Sequence, residues 1–365
     1  MMDRNIIFSP TLVSASVQLD GAHAQLYSLM SLLDADDYPG QAAWVYTTRD
    51  SLTPAELQAS RLVFGLFGKV FKGYDTSWDD LDGFLSHFRQ EDPTQQRDRI
   101  LAAYLDWHHA CCTEGKLAQA TSREDFLASP APLRNLLSLD SDDRALLSVM
   151  DQAHGLLNDP PTLRSRIADH LELMWEKYLR KPWQAELPTL RETVDAYAQL
   201  DLSKVDPLEA AQRITRRDLR HSKLITYLDQ VSQVVFVPSP FIGPYVGFMG
   251  GPAIIRLIFR PQLPDEAPRR SPHLDRSELL VQLSALADDT RLQILALLAQ
   301  HAELRAQDVM QHLNLSQSAS SRHLRQLSAT GFITEQRQDG IKLYRLNLTR
   351  ITHTADALRR YLHLD

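Results

Sequence analysis

The sequence contains little cysteine and no long apolar segment. Its two cysteines, Cys111 and Cys112, are adjacent, and neighbouring cysteines rarely form a disulfide, so a disulfide framework is excluded and a reducing compartment is favoured. No run reaches the ~18 uninterrupted apolar residues expected of a membrane-spanning helix. The first twenty residues also lack a signal-peptide core. We therefore expect a soluble, cytoplasmic protein that does not enter a membrane.

Common catalytic and nucleotide-binding motifs are also missing. The first 260 residues contain no G-x-G-x-x-G, no P-loop, no G-x-S-x-G and no H-E-x-x-H. Gly247, Gly250 and Gly251 lie in an apolar β context without the helix start that phosphate binding requires. The sequence therefore predicts no enzyme and no cofactor.

Acidic residues are distributed unevenly along the chain. It has 39 Lys and Arg and 46 Asp and Glu. Residues 261–365 hold 13 of the basic and 12 of the acidic residues, so residues 1–260 hold 26 basic and 34 acidic residues. The segment 314–332 has no acid but holds five serines, two arginines and a histidine. Because a carboxylate there would repel phosphate groups, its absence permits contact with a phosphate backbone.

Prolines and apolar spacing divide the chain. Four prolines lie between residues 260 and 277, and this density predicts a semi-rigid linker, which we assign to residues 261–274. Residues 20–225 show helical spacing of apolar side chains. Residues 233–261 have β-branched and aromatic runs broken by Pro and Gly, which predict two or three strands.

The predicted fold class is therefore mainly α with small β elements. A large helical domain over residues 1–260 ends in a short, hairpin-like β segment. Within this domain, Leu163, Ile167 and Leu171 mark one helix that we expect to end at Pro182.

Residues 275–365 predict a winged helix-turn-helix. Helices are expected around 276–287, after the cap Asp288, over 303–314 and over 316–328. The dipeptide Asp339-Gly340 then signals a type I′ hairpin. In such a fold, the helix 316–328 would enter the major groove of DNA.

The helix 316–328 has the side chains that a DNA contact requires. Leu324 and Leu327 are predicted to face inward. Short hydroxyls allow close approach to phosphates, while Gln and Arg can form paired hydrogen bonds to base edges. The predicted DNA-contacting residues are Ser316, Gln317, Ser318, Ser321, Arg322 and Arg325 on the helix, with Arg337 and Lys342 at the hairpin tip.

Three segments resemble the ArsR-type (arsenical-resistance repressor) winged-helix regulators. They are "LADDTRLQILALL" (286–298), "LSQSASSRHLRQLSATGFI" (315–333) and "QDGIKLYRLN" (338–347). The resemblance implies a homodimer formed by the first and last helices, here around 276–287 and in "THTADALRRYLHLD". It also implies DNA contacts at Gln317, Ser318, Ser321, Arg322 and His323. Residues 1–260 are similar to the N-terminal domain of long ArsR-type regulators, through "IIFSPTLVSASVQL" and "VPSPFIGPY".

The sequence departs from the metal-sensing members of this family. Those members carry Cys-x-Cys in the third-helix region, where this chain has Arg305 and Gln307, neither of which is a thiolate. His353, Asp356 and His363 lie on the last helix, but their spacing differs from that of the family's second metal site. We therefore predict no metal site.

Alternatives remain open for residues 1–260. "WHHACC" places His108, His109, Cys111 and Cys112 within one helical turn, which could give a metal- or redox-responsive regulator. "ITRRDLRHSK" (214–223) is a basic run that could hold an anion or reinforce DNA contact, or simply form a solvated helix face. An enzyme domain fused to a DNA-binding domain, or a domain that only assembles, is also possible.

Together these patterns predict a sequence-specific DNA-binding transcriptional regulator. We expect a dimeric repressor that occludes a near-palindromic operator in double-stranded DNA. An unknown small-molecule or protein effector is expected to tune it through residues 1–260.

Overall fold

A computed structural model describes residues 13–71, 73–117, 121–138, 148–220, 222, 224–264, 272–338, 341–362 and 364. The parts of the predictions that concern residues 1–12, His221, Lys223, 265–271, Asp339-Gly340 and His363 lie outside these residues. The chain forms two compact units: Leu19–Arg191 with Ser239–Tyr245, and Glu192–Pro238 with Val246–Asp365 and the segment that ends at Gln18.

Most of the described chain before residue 230 is helical. In chain order, the elements of this part are β1 (Ser14–Val17), α1 (Gly21–Met30), α2 (Ala43–Ser51), α3 (Pro54–Ser60), α4 (Leu81–Gln90), α5 (Pro93–Thr113), α6 (Arg123–Ala128), α7 (Ala131–Ser138), α8 (Met150–Leu157), α9 (Pro160–Met174), α10 (Arg180–Ala198), α11 (Pro207–Thr215) and α12 (Leu224–Leu228). Short π-helical turns follow α3 and α9, at Arg61–Leu66 and Trp175–Leu179.

The remaining elements are shorter and include both sheets. They are β2 (Gln233–Pro238), β3 (Gly247–Gly250), β4 (Ile254–Phe259), α13 (Pro272–Leu286), α14 (Asp289–Gln300), β5 (Leu304–Arg305), α15 (Ala306–Leu313), α16 (Gln317–Ala329), β6 (Ile333–Gln338), β7 (Ile341–Leu346) and α17 (Leu348–Tyr361). The fold is mainly α with small sheets, as predicted. No helix within the described ranges is both long and apolar enough to cross a membrane.

The helical unit is built on the apolar stripes that the sequence indicates. Leu163, Ile167 and Leu171 of α9 are fully buried. The stripe on α4 is buried in the same way at Leu81 and Phe88. Since these side chains recur at helical spacing, their burial joins the helices into one apolar interior.

The prediction that Pro182 ends the α9 helix is wrong. A π-helical turn follows α9, and α10 then continues with Pro182 as its third residue. Proline has no N–H, so it cannot donate to the carbonyl of Tyr178 four residues earlier. The indole N–H of Trp44 donates to that carbonyl instead, at 3.0 Å. A tertiary hydrogen bond thus replaces the one that the proline removes.

A four-stranded sheet in the order β1-β2-β4-β3 belongs to the other unit. The prediction of two or three strands in residues 233–261 is confirmed with three, β2, β3 and β4, of which β3 and β4 are antiparallel. β1 was not predicted, because "SASV" is short and has one clearly apolar side chain. It pairs in parallel with β2, starting with Ser14 opposite Gln233, so its partner lies more than 200 residues away in sequence.

The last ninety residues form the predicted winged helix-turn-helix, with Leu324 and Leu327 in its apolar core. The first helix, α13, begins at Pro272 rather than near residue 276. Proline is well tolerated in the first turn of a helix, where its missing N–H would have no intrahelical acceptor. A three-stranded sheet, in the order β5-β7-β6, includes the two-residue strand β5, which was not predicted.

Candidate nucleic-acid interface

The helix α16 begins at a serine cap after a tight turn. Asn314 ends α15 in the left-handed conformation, with φ at 51°. The hydroxyl of Ser316 then accepts a hydrogen bond from the backbone N–H of Ala319, at 3.2 Å. Because this bond satisfies an amide that the first helical turn leaves open, α16 has a defined start. The turn and its two helices are the predicted helix-turn-helix.

The buried face of α16 is held by Arg291 of α14. Its Nη1 donates to Oε1 of Gln326, at 2.8 Å, and the Gln326 side chain is buried. Arg291 also donates to the backbone carbonyls of Ala285 and Ser284, at 2.5 and 2.9 Å. One guanidinium therefore fixes α16 relative to α13 and α14. Sequence reasoning missed this link, because Arg291 and Gln326 lie 35 residues apart and share no motif.

The opposite face of α16 is exposed and carries no carboxylate. Gln317, Ser318, Ser321 and Arg322 are all exposed, and Arg325 is half-buried. Arg322 makes no ion pair with any residue that the structure describes. Four of the predicted DNA contacts therefore share one accessible surface, which we call the α16 outer face. Its hydroxyl, amide and guanidinium groups can donate to phosphates and base edges.

His323 occupies a different environment from its neighbours. Its side chain is 16% exposed, and its Nδ1 lies 3.6 Å from Oδ1 of Asp288, the residue that caps α14. Burial lowers the pKa of His323 below its usual value, and the charge of Asp288 opposes this effect. The imidazole is thus closer to the protein interior than the α16 outer face is.

The hairpin of β6 and β7 carries the two predicted basic contacts on one face. Arg337 lies directly opposite Lys342 in the antiparallel register, and both are exposed. Two like charges at opposed positions destabilise a hairpin. Lys342 Nζ lies 2.7 Å from the carboxylate of Glu335, which offsets part of this repulsion. Burial would raise the pKa of Glu335, but the hydrogen bond and the charge of Lys342, together with smaller effects of Ser328 and Arg217, outweigh it and lower that pKa.

The residues considered for metal binding are not assembled into a site. Within the described ranges, no three His, Cys, Asp or Glu side chains group so that they could hold a metal ion. His108 is buried, with Nδ1 3.5 Å from Cys112 Sγ and Nε2 3.0 Å from the Thr121 hydroxyl. His109 is exposed. Both nitrogens of His108 therefore already have partners within the protein.

Three arginines in or next to the basic run at 214–223 engage carboxylates of the same unit. Unlike Arg322, their guanidinium groups lie within 2.6 Å of an acid. The pairs are Arg213 with Glu209, Arg216 with Glu278 and Arg220 with Asp218. Carboxylates of the same unit therefore largely neutralise the positive charge of these three arginines.

Comparisons with known proteins point to the same part of the chain. The model of a family described as "Bacterial regulatory protein, arsR family" matches residues 288–335. The "Transcriptional activator HlyU" of Vibrio cholerae serotype O1 is 33% identical over 84 residues, which cover 23% of this chain and 77% of that protein. The match includes the helix-turn-helix, and the protein is a DNA-binding transcriptional regulator that belongs to the ArsR family.

Proposed function

We propose that the protein is a dimeric, sequence-specific repressor that occludes its operator and is tuned through the region before residue 261. The observation that carries the proposal is the exposed, acid-free outer face of α16 beside a basic hairpin. Such a helix can enter the major groove while the hairpin contacts the backbone nearby. The separation into residues 1–260, a linker at 261–274, whose last three residues begin α13, and a DNA-binding domain at 275–365 is part of this proposal.

The chemistry of each side chain indicates whether it would contact a base edge or a phosphate. Gln317 and Arg322 would contact base edges, because an amide or a guanidinium can form two hydrogen bonds with one base. Ser316, Ser318, Ser321, His323 and Arg325 would contact phosphates or adjust the fit of the helix. Arg337 and Lys342 would contact phosphates from the hairpin, which fixes position without reading sequence.

Exposed apolar side chains on the first and last helices of the DNA-binding domain support a dimer. α13 packs against α17, and Leu280 of α13 is 54% exposed. Tyr361 and Leu362, at the end of α17, are 49% and 51% exposed. A dimer contact on these two helices would remove the three apolar side chains from water. A two-fold dimer built on these helices would present two copies of α16 to successive turns of the major groove.

Repression and tuning concern what binding does to transcription. A two-fold dimer on a promoter blocks access to it, which is the basis for proposing a repressor. HlyU is named an activator, but that name describes HlyU and does not decide whether the present protein activates or represses transcription. A small-molecule or protein effector would act through the region before residue 261. The contact of Arg216 with Glu278 of α13 supports this route, because it ties α11 to a helix of the proposed dimer.

Selection of bound fragments from genomic DNA tests the proposed function. The purified full-length protein is mixed with sheared DNA at physiological salt, and bound fragments are sequenced. We expect enrichment of one near-palindromic motif, and sedimentation of two chains with one duplex. A reporter placed behind that motif should be less active when the protein is present. Uniform recovery of all fragments would contradict sequence-specific binding, and a more active reporter would contradict repression.

A further inference from the structure

Three arginines from separate elements meet at Glu278 of α13. Arg216 follows α11 in the left-handed conformation, and its Nη1 lies 2.5 Å from Oε2 of Glu278. Arg350 of α17 places its Nη1 3.5 Å from the other carboxylate oxygen. Arg260, directly after β4, interacts electrostatically with the same carboxylate. We call these four side chains the arginine cluster.

Two buried polar atoms, one in the cluster and one on the neighbouring Gln282, have no hydrogen bond. The carboxylate of Glu278 accepts a short hydrogen bond from Arg216 and a second one from Nε2 of Gln282, at 3.1 Å. Among the described residues, Nη1 of Arg260 and Oε1 of Gln282 are buried and have no hydrogen-bond partner. Such atoms are rare in folded proteins, and each calls for an explanation. Here one is a donor and the other an acceptor.

The charges of the cluster are unequal at neutral pH. Burial lowers the pKa of Arg260 to about 10, so its guanidinium remains positive. Burial also lowers the pKa of Arg350, against the opposing effect of Glu278. Burial would raise the pKa of Glu278, but the surrounding arginines outweigh it and hold that pKa below its usual value. Within the cluster, one carboxylate therefore faces three guanidinium groups.

We propose that the arginine cluster binds a small oxyanion that also carries a hydroxyl group, such as hydrogen phosphate or a hydroxycarboxylate. The ligand oxygens would accept hydrogen bonds from Arg260 and Arg350, since a planar guanidinium matches two oxygens of a phosphate or carboxylate. The ligand hydroxyl would donate to Oε1 of Gln282. One edge of the cluster borders solvent, because Arg216 and Arg350 are 28% and 20% exposed.

The site is independent of DNA binding, but its position has a consequence for the proposed function. Glu278 and Arg350 lie on α13 and α17, the helices of the proposed dimer contact. If the proposed function holds, an oxyanion in the cluster acts directly on that contact. Operator affinity is therefore measured separately from ligand binding. Loss of operator affinity without any ligand present would concern the proposed function alone.

Calorimetric titration of the full-length protein tests the site. Inorganic phosphate and L-malate are used as separate probes, with ionic strength held constant by potassium chloride. We expect at least one probe to bind saturably, with one site per chain. Arg260→Gln should weaken this binding at least ~10-fold, because one side of the ligand loses its charged donors. Arg213→Gln is the matched control, since Arg213 is exposed and paired with Glu209, and it should bind as wild type does.

The two probes also distinguish the two sources of the ligand. Binding of phosphate alone indicates a phosphate compound, and binding of malate alone indicates a hydroxycarboxylate. If Arg260→Gln does not fold, as judged by circular dichroism, Arg260→Lys is titrated instead. We expect weaker binding there too, because lysine keeps the charge but not the planar pair of donors. The proposal is overturned if neither probe binds wild type saturably, or if the folded Arg260 variant binds as wild type does.

Discussion

Two segments of this chain carry arginines, one on a helix and one at the end of a helix and in the loop that follows it, and the two segments use them differently. On the α16 outer face, Arg322 is exposed and forms no ion pair within the described residues. Around α11, Arg213 and Arg220 each lie 2.6 Å from a carboxylate of a near neighbour in sequence. The second segment is denser in basic residues, yet a nearby carboxylate neutralises each of these two guanidinium groups.

The contrast shows that the number of arginines is a poor guide to a DNA-binding surface. A guanidinium paired with a carboxylate must break that pair before it can bind a phosphate, and this cost reduces the net gain. The absence of acids over residues 314–332 is therefore more informative than the basic run at 214–223. The predictions below change one side of this contrast at a time, from the largest expected effect to the smallest.

Removing the carboxylate of α13 that pairs with Arg216 should affect folding. Glu278→Gln leaves the arginine cluster without its anion, and breaking a largely buried pair in this way costs about 3–5 kcal/mol. We expect a corresponding fall in the free energy of unfolding, measured by urea denaturation. The control is Glu209→Gln, because Glu209 and Arg213 are both more than half exposed and such pairs contribute at most about 1 kcal/mol. Equal losses in the two variants would contradict the distinction.

The helical unit should respond to acid through His170. Burial lowers the pKa of this imidazole to about 4, against 6.5 in an unfolded chain. The folded state therefore favours the neutral imidazole. Its contribution to the free energy of unfolding is complete above pH 6.5 and is lost as the pH falls from 6.5 to 4, because the unfolded chain then binds a proton that folded His170 does not. The difference of 2.5 pKa units corresponds to roughly 3 kcal/mol.

The free energy of unfolding measured across this pH range tests the assignment. His170→Gln should flatten the dependence, because glutamine does not titrate. His109→Gln, at an exposed position, should leave it unchanged. A wild-type protein equally stable at pH 6.5 and pH 4.5 would refute the role of His170.

Removing the exposed guanidinium should affect DNA binding rather than folding. Arg322→Ala is expected to weaken specific binding by about 1–3 kcal/mol if Arg322 contacts a base edge. Arg220→Ala is the matched control, because Arg220 is bound to Asp218, and it should change operator affinity little. Fluorescence anisotropy with a labelled operator measures both. A larger loss for Arg220→Ala would reverse the comparison between the two segments.

The hairpin should contribute to binding without reading sequence. Lys342→Ala is expected to weaken binding to all duplexes alike and to lower the salt slope by about 1, as loss of one phosphate contact requires. Arg345 lies three residues further along the same strand, so its side chain projects from the opposite face of the hairpin, where it contacts Glu303 at 2.6 Å. Arg345→Ala is therefore the control with an unchanged slope. A loss confined to the operator sequence would contradict a phosphate contact at Lys342.

Local chemistry explains which parts of the structure the sequence predicts. The helix caps Asp288 and Ser316 each depend on residues within a few positions, and both are confirmed. The stripes of the helical unit depend on spacing alone. The β1 strand and the Arg291–Gln326 link depend on partners far away in sequence. At Pro182 a distant tryptophan supplies the missing donor, so the local rule fails.

The central claim is that the α16 outer face recognises a specific DNA sequence. The most direct test is the affinity of the Gln317→Ala/Arg322→Ala variant for the operator and for an unrelated duplex, at one salt concentration. We expect operator affinity to fall by about 2–6 kcal/mol, roughly the sum of two lost base contacts, while affinity for unrelated DNA changes much less. Wild-type affinity of this variant for the operator would contradict the account.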